Sequence, residues 1–348
     1  MSQNNNNAGD QSNFQATVCG NRCRVEMPNS FTVVQAVAFK PSFQQIVHTH
    51  ADLAAIALDF NKTSFIDSSG VGALVGCWKI AQKNNIRLIL QNVSPQVMTI
   101  LALTDLDKLF EIESSAPSPP SQGGAGAPSP KLPAKLPSPA EMPFVTHPSV
   151  QSRAKRLLDI VGAIVGLTIT GLVFPFIAIA IKLDSPGPIF FGQIRCSWMG
   201  TRFKMWKFRS MVSDAEQQKH LVKNEASGAI FKSANDPRIT RVGRFLRKTS
   251  LDELPQFWNV LRGEMSLVGT RPPTPDEVER YEIPQWQRLD IKPGMTGEWQ
   301  VHGRSTVKNF EDIVNLDLKY QEQWSLRYDI KLIIKTIWII FNKESGAM

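Results

Sequence analysis

Asp252 and Glu253 stand side by side in Ser250-Leu251-Asp252-Glu253-Leu254-Pro255, directly after Arg238, Arg241, Arg244 and Arg247, which recur at every third position. A carboxylate can serve as a nucleophile, as a proton acceptor or as a ligand for a hard cation. Guanidinium groups offer planar, paired donors to phosphate oxygens. Adjacent residues on a helix diverge by about 100°, so the two acids are expected to take separate roles. A plainer account fits the same residues: Ser250 with Glu253 forms a capping box, and acids in a first turn complement the helix dipole. Pro255 prefers the first helical position and moves that start later. Read alone, the arginine row is a solvated or lipid-facing stripe.

The elements around these residues suggest a membrane. The 22 residues from Ile160 to Ile181 carry no charge, and as a straight helix they measure about 33 Å, enough to cross a hydrocarbon core. We place this membrane helix at 157–182. Two features oppose a plain span. Pro175 lies inside the run, where it breaks or kinks a helix. Both flanks are also basic, with Arg153, Lys155 and Arg156 before and Lys182, Arg195, Arg202, Lys204, Lys207 and Arg209 after. A helix that enters, bends near Pro175 and returns to the same face satisfies both observations. Near the C-terminus, Ile330, Ile333, Ile334, Ile337, Trp338 and Phe341 form an apolar stripe opposite Lys331 and Lys335. That helix suits either a core or an anionic membrane face.

Composition bounds the rest. The net charge of +8 resides wholly in the second part, since residues 1–150 hold 10 basic and 10 acidic side chains and residues 151–348 hold 29 and 21. Beside an apolar segment, and without a nucleic-acid module, this surplus points to anionic lipid and away from nucleic acid. Four cysteines are too few for a disulfide scaffold, and a zinc site is not expected. The Asn/Gln-rich residues 1–13 read as a disordered leader that lacks the features of a signal peptide. Residues 114–150 hold ten of the 23 prolines and read as a Pro/Gly/Ser-rich tether. That leaves modules at 14–113 and 151–348.

In the first module, a strand from Leu53 to Phe60, a helix from Val71 to Lys83 and a strand from Ile86 to Leu90 predict a βαβ unit with parallel pairing. Asp67, Ser68 and Ser69 fall where that helix needs a cap. The run Phe65-Ile66-Asp67-Ser68-Ser69-Gly70-Val71-Gly72 resembles the STAS (anti-sigma-factor antagonist) family. The resemblance implies an α/β domain, a regulatory protein partner and possible phosphorylation of Ser68, with a phosphate at a helix N-terminus.

The second module resembles the bacterial sugar transferases, the monotopic polyprenol-phosphate phosphoglycosyl transferases. The resemblance rests on motifs in order: Lys182-Leu183-Asp184-Ser185-Pro186-Gly187-Pro188, Lys207-Phe208-Arg209-Ser210-Met211, Asp236-Pro237-Arg238, Ser250 to Gln256, Gly263 to Gly269, Arg271-Pro272, Lys292 to Gly297 and Gln300 to Arg304. It implies a mainly helical α+β domain with a re-entrant helix, on the cytoplasmic face of the inner membrane. The implied reaction moves a sugar 1-phosphate from a UDP-sugar to undecaprenyl phosphate with Mg²⁺, and starts a surface glycan. By resemblance, Asp252 is the nucleophile and UMP leaves. Glu253 assists through proton handling or metal coordination, and both acids are the expected Mg²⁺ ligands. Lys207, Arg247, Arg271, Pro272 and Arg304 match phosphate or nucleotide contacts. Asp317 is a weaker candidate, because a solvated helix position explains it as well, and His302 reads as a structural hydrogen-bonder. Phe174-Pro175 stands where the family has Ser-Pro, and Thr270 where it has Pro. The competing expectation is a membrane-anchored STAS scaffold with an idle transferase domain.

Overall fold

The computed structural model describes residues 14–50, 52–113, 147–218, 222, 236–302, 307 and 309–341, without the side chain of Phe341. The expected leader 1–13, residues 114–146 of the expected tether, and Arg304 lie outside the described residues. The chain divides into two units, one of Met1–Val145 with Glu282–Gln287, the other of Thr146–Tyr281 with Arg288–Met348.

The first unit is built on a five-stranded sheet ordered β1-β2-β4-β6-β7. Its strands are β1 (Ala16–Cys19), β2 (Arg22–Glu26), β4 (Ala55–Asp59), β6 (Arg87–Gln91) and β7 (Glu111–Glu113). Only β1 and β2 pair antiparallel; β2·β4, β4·β6 and β6·β7 are parallel. Every residue of β4 is buried, the pattern of a central parallel strand covered on both faces. Helices α1 (Val33–Thr49), α2 (Ser68–Lys83) and α3 (Pro95–Leu103) supply the cover, and β3 (Ser30–Phe31) pairs with β5 (Phe65–Ile66) beside them. The expected strand–helix–strand unit is therefore β4, α2 and β6. The Asp67 carboxylate caps α2 through the Gly70 N–H at 2.8 Å. It also accepts the Val33 N–H at 3.0 Å, so one side chain anchors two helix starts. Gly70 is needed there, since a Cβ would lie 2.3 Å from the Phe31 carbonyl oxygen.

The second unit is organised along one helix. After α4 (Pro148–Gln151), α5 (Arg153–Asp184) runs uninterrupted for 32 residues with Pro175 inside it. The Ser152 hydroxyl caps α5 by accepting the Lys155 N–H. Its inner side carries Ala163, Gly166, Ile177 and Ile181. Leu172, Phe176 and Leu183 are 71%, 75% and 84% exposed, which rules out a buried core helix. It is the one described helix long and apolar enough to cross a membrane. Against its inner side lie α6 (Arg241–Lys248), α7 (Gln256–Arg262) and β10 (Ser266–Val268). The hairpin β8 (Phe190–Cys196) and β9 (Arg202–Phe208) is antiparallel, while β10 pairs in parallel with β11 (Gly294–Thr296). Helices α8 (Pro275–Val278), α9 (Glu298–His302), α10 (Phe310–Glu322) and α11 (Leu326–Phe341) follow among the described residues. Lys155 in α5 reaches Asp329 in α11 at 2.6 Å and the Val268 carbonyl at 2.9 Å. The Tyr320 hydroxyl donates to Asp329 at 2.6 Å. These contacts fasten both ends of the sequence module together in a buried polar knot, each polar group satisfied. Helix α11 buries Leu332 and exposes Ile330, Ile334, Ile337 and Trp338, so the apolar stripe extends beyond what the core uses.

The structure corrects three expectations. Ser250 and Glu253 do not form a capping box: Ser250 has φ +56°, Leu251–Glu253 is a 3-10 turn, and α7 begins only after Pro255. The proline sets the helix start, as its stereochemistry demands, and the acids stay outside the helix. Arg238 precedes α6 and pairs with Asp236, so it leaves the arginine row. Asp317 is not solvated; it is buried in an ion pair with Arg288, Nε to Oδ2 at 2.8 Å.

Candidate active site

The acids are presented by the tight turn between α6 and α7. Asp252 is 5% exposed and Glu253 half-buried. On a 3-10 turn neighbouring side chains diverge by about 120°, so the two carboxylates address different partners. Lys207, near the end of β9, donates from Nζ to Glu253 Oε1 at 3.0 Å. Arg247, in the last turn of α6, donates from Nε to the Ser210 hydroxyl at 3.0 Å. Burial pushes the Arg247 guanidinium down from its ordinary range, while the negative charge of Asp252 favours its charged form. Gly243 makes this placement possible. A Cβ there would sit 1.9 Å from the Ser210 carbonyl oxygen, so only glycine lets α6 lie this close to the segment carrying Lys207 and Ser210. Behind them, Arg238 grips Asp236 through Nε at 2.8 Å and Nη2 at 2.6 Å.

A second cluster forms around Glu277. Arg271 clamps Glu277 through Nη1 at 2.9 Å and Nη2 at 3.2 Å. Glu277 also accepts the Thr274 N–H at 2.8 Å and so caps α8. Arg195, from β8, donates to the Pro272 carbonyl at 2.9 Å and lies 3.9 Å from the same Glu277 carboxylate. Pro272 is buried and contributes its main chain to this cluster. Arg195 and Glu277 were not legible as site residues. Glu277 reads as a helix cap three residues after Thr274, and no spacing announces that Arg195 lies beside it.

A family model described as bacterial sugar transferase matches residues 150–343. The chain belongs to that family. A STAS domain model matches residues 14–118. The transferase region is 53% identical over 189 residues to a galactosyl transferase, CpsE, of Streptococcus agalactiae, covering 54% of this chain and 42% of that protein. It is 43% identical over 198 residues to an undecaprenyl-phosphate galactose phosphotransferase of Salmonella typhimurium, covering 55% of this chain and 41% of that protein. The chain thus spans about two fifths of the length of these relatives. The solved anti-sigma factor antagonist SpoIIAA, in its unphosphorylated form, is 19% identical, covers 30% of this chain and 89% of its own, and gives a TM-score of 0.25.

The remaining expected residues are placed as follows. Ser68 is fully buried at the start of α2, and its hydroxyl donates to the Trp286 carbonyl at 2.7 Å within the first unit. His302 rests on the Glu298 carbonyl at 3.1 Å and contacts Lys335, in a cluster with Glu298 and Lys319. The donor chemistry of Asp252 and Glu253 suits Mg²⁺, which takes one or two carboxylates and fills its shell with water and substrate phosphates. Among the described residues no three acidic, cysteine or histidine side chains gather as a closed metal cage.

Proposed function

We propose that this bacterial sugar transferase moves a sugar 1-phosphate from a UDP-sugar to undecaprenyl phosphate and thereby initiates exopolysaccharide, capsule, O-antigen or glycoconjugate assembly. The names borne by its relatives, a galactosyl transferase and an undecaprenyl-phosphate galactose phosphotransferase, support the reaction class. The observation that carries the reading is a buried carboxylate, Asp252, within electrostatic reach of Arg247 and next in the chain to Glu253, which pairs with Lys207.

In the first half-reaction an Asp252 oxygen attacks the sugar-bearing phosphorus. The bond from that phosphorus to the bridging oxygen breaks, and UMP leaves with the electron pair. In the second, an oxygen of the lipid phosphate attacks the aspartyl phosphosugar ester, and Asp252 leaves as a carboxylate. Two anions must approach each other in each step, so Arg247, Arg271 and Lys207 serve to neutralise phosphate oxygens as charge shifts. Arg304, outside the described residues, is proposed for the same duty. Glu253 is held by Lys207 and is suited to proton handling or cation binding. Mg²⁺, held by Asp252 and Glu253, would supply charge neutralisation at the diphosphate.

The exposed apolar side of α5 and the Ile334–Trp338 face of α11 support a membrane-associated protein. We place it on the cytoplasmic face of the inner membrane, with α5 re-entrant and not spanning. The STAS domain is proposed to take a regulatory protein partner.

The test is single-turnover mixing of the full chain with a UDP-sugar and Mg²⁺ before any lipid is added. Stoichiometric UMP and an adduct on Asp252 by mass spectrometry are expected, and Asp252→Asn should lose at least about 10³-fold of this release. Normal UMP release by Asp252→Asn removes the proposed nucleophile.

A further inference from the structure

The Arg271–Glu277 contact poses a problem for any reading in which Arg271 serves a phosphate. A bidentate arginine–carboxylate pair is electrically neutral and has its best donors already used. Arg271 meets Glu277 in this way, with 21% of its side chain exposed and 8% of the glutamate. Arg195 changes the sum. Its side chain is 13% exposed and approaches the same carboxylate oxygen, at 3.9 Å, so two guanidinium groups share one acid. Its Nη2 donates to Gln193 Oε1 at 2.7 Å, while its buried Nε has no partner among the described residues. Burying a second cation against a first, with a donor unmet, costs stability. Burial and the neighbouring Arg271 push the Arg195 guanidinium down to about 10, still charged at neutral pH.

We propose that Arg195 is a positioning residue that keeps Arg271 available to the anionic phosphate of a nucleotide: by sharing Glu277 it leaves the three-group cluster with one unit of net positive charge. The inference rests on the proposed donor site, and it assigns the charge surplus at that site to a residue the reaction scheme does not use. Arg195 is also within electrostatic reach of Glu253. Its position is fixed by the chain. The Cys196 N–H donates to the Pro273 carbonyl at 2.9 Å and pins the end of β8 to the loop that carries Arg271.

The experiment measures UMP binding to the full chain in lipid nanodiscs, by titration calorimetry, for four variants. Arg195→Gln makes the cluster neutral, and UMP affinity should fall about tenfold, as expected for one charge acting over a few ångströms in partly buried surroundings. Glu277→Gln adds one positive charge while keeping the cap, because glutamine serves the same capping role. The double variant Arg195→Gln/Glu277→Gln restores one net charge and should return to within about threefold of the wild type. Arg195→Lys keeps the charge and should also stay within about threefold. The wild-type advantage over Arg195→Gln should shrink as salt rises. If Arg195 merely props the loop, the double variant binds no better than Arg195→Gln, and the inference fails. Unchanged binding by Arg195→Gln overturns it as well. Failure of the wild type to bind UMP at all overturns the donor site itself, which the four-variant pattern distinguishes.

Discussion

At the residue scale, the site is a set of charges whose partners decide what each can do. Asp252 and Glu253 are neighbours in sequence, yet Asp252 is buried within electrostatic reach of Arg247 while Glu253 pairs with Lys207. Asp236 shows how a neighbouring acid is spent on structure: the Arg238 guanidinium holds its carboxyl below the usual carboxylate range. A lowered folded value means that the stabilisation is complete above the ordinary carboxylate range and is lost as the pH falls through the lowered value. Asp236→Asn should therefore cost about 3 kcal/mol at neutral pH by leaving Arg238 buried without its acid. The gap from the wild type should close in acid. Melting temperatures of both proteins across pH check this; a gap that persists unchanged in acid refutes it.

At the element scale, two contacts govern whether the charges meet. The first is the approach of α6 to the end of β9, permitted by Gly243. Gly243→Ala removes a residue unfavourable to helices, and an exposed site would gain stability from it. Here the methyl group meets the Ser210 carbonyl, so α6 must retreat. A loss of about 2 kcal/mol is expected from overpacking, together with a larger fall in UMP release than in stability, because Arg247 moves with the helix. Denaturant melts and the release assay measure both. The second contact is the long seam of α5 against α6, α7 and β10. Helix continuity through Pro175 leaves its membrane course open to a direct test. With Cys19, an exposed thiol, replaced by serine, cysteines at Arg153 and Leu183 should both react from the cytoplasmic side of sealed vesicles. Labelling of the two ends from opposite sides would establish a span.

At the scale of the whole molecule, two units of different chemistry share one chain. The positive surplus belongs to the transferase part, and the STAS unit carries a buried serine. Ser68 has no exposed surface, and its hydroxyl is already committed. A charge there has no solvent to meet. Ser68→Asp should destabilise the first unit by about 3 kcal/mol or more, and Ser68→Ala by about 1 kcal/mol for the lost hydrogen bond. Calorimetric melting of the full chain checks both values. If phosphorylation regulates this protein, that unit must open to admit it.

Much of this was legible in the residues themselves, and the reason is that those features are local. The alternation of buried strand, capped helix and buried strand around Asp67 appears where the spacing puts it, because hydrophobic period and capping act within a few residues. The apolar run of α5, the Asp252-Glu253 pair and the family motifs are equally local. Tertiary structure alone decided the rest. Pro255 delays the helix locally, as its position announces, but the left-handed Ser250 that holds the acids on a 3-10 turn, against the capping pattern, is a feature of the folded chain. Asp317 became half of a buried pair with Arg288, 29 residues away. Arg195 meets Glu277 across a separation that no local rule encodes. Charges acquire partners by proximity in space, and burial then multiplies what each partner is worth.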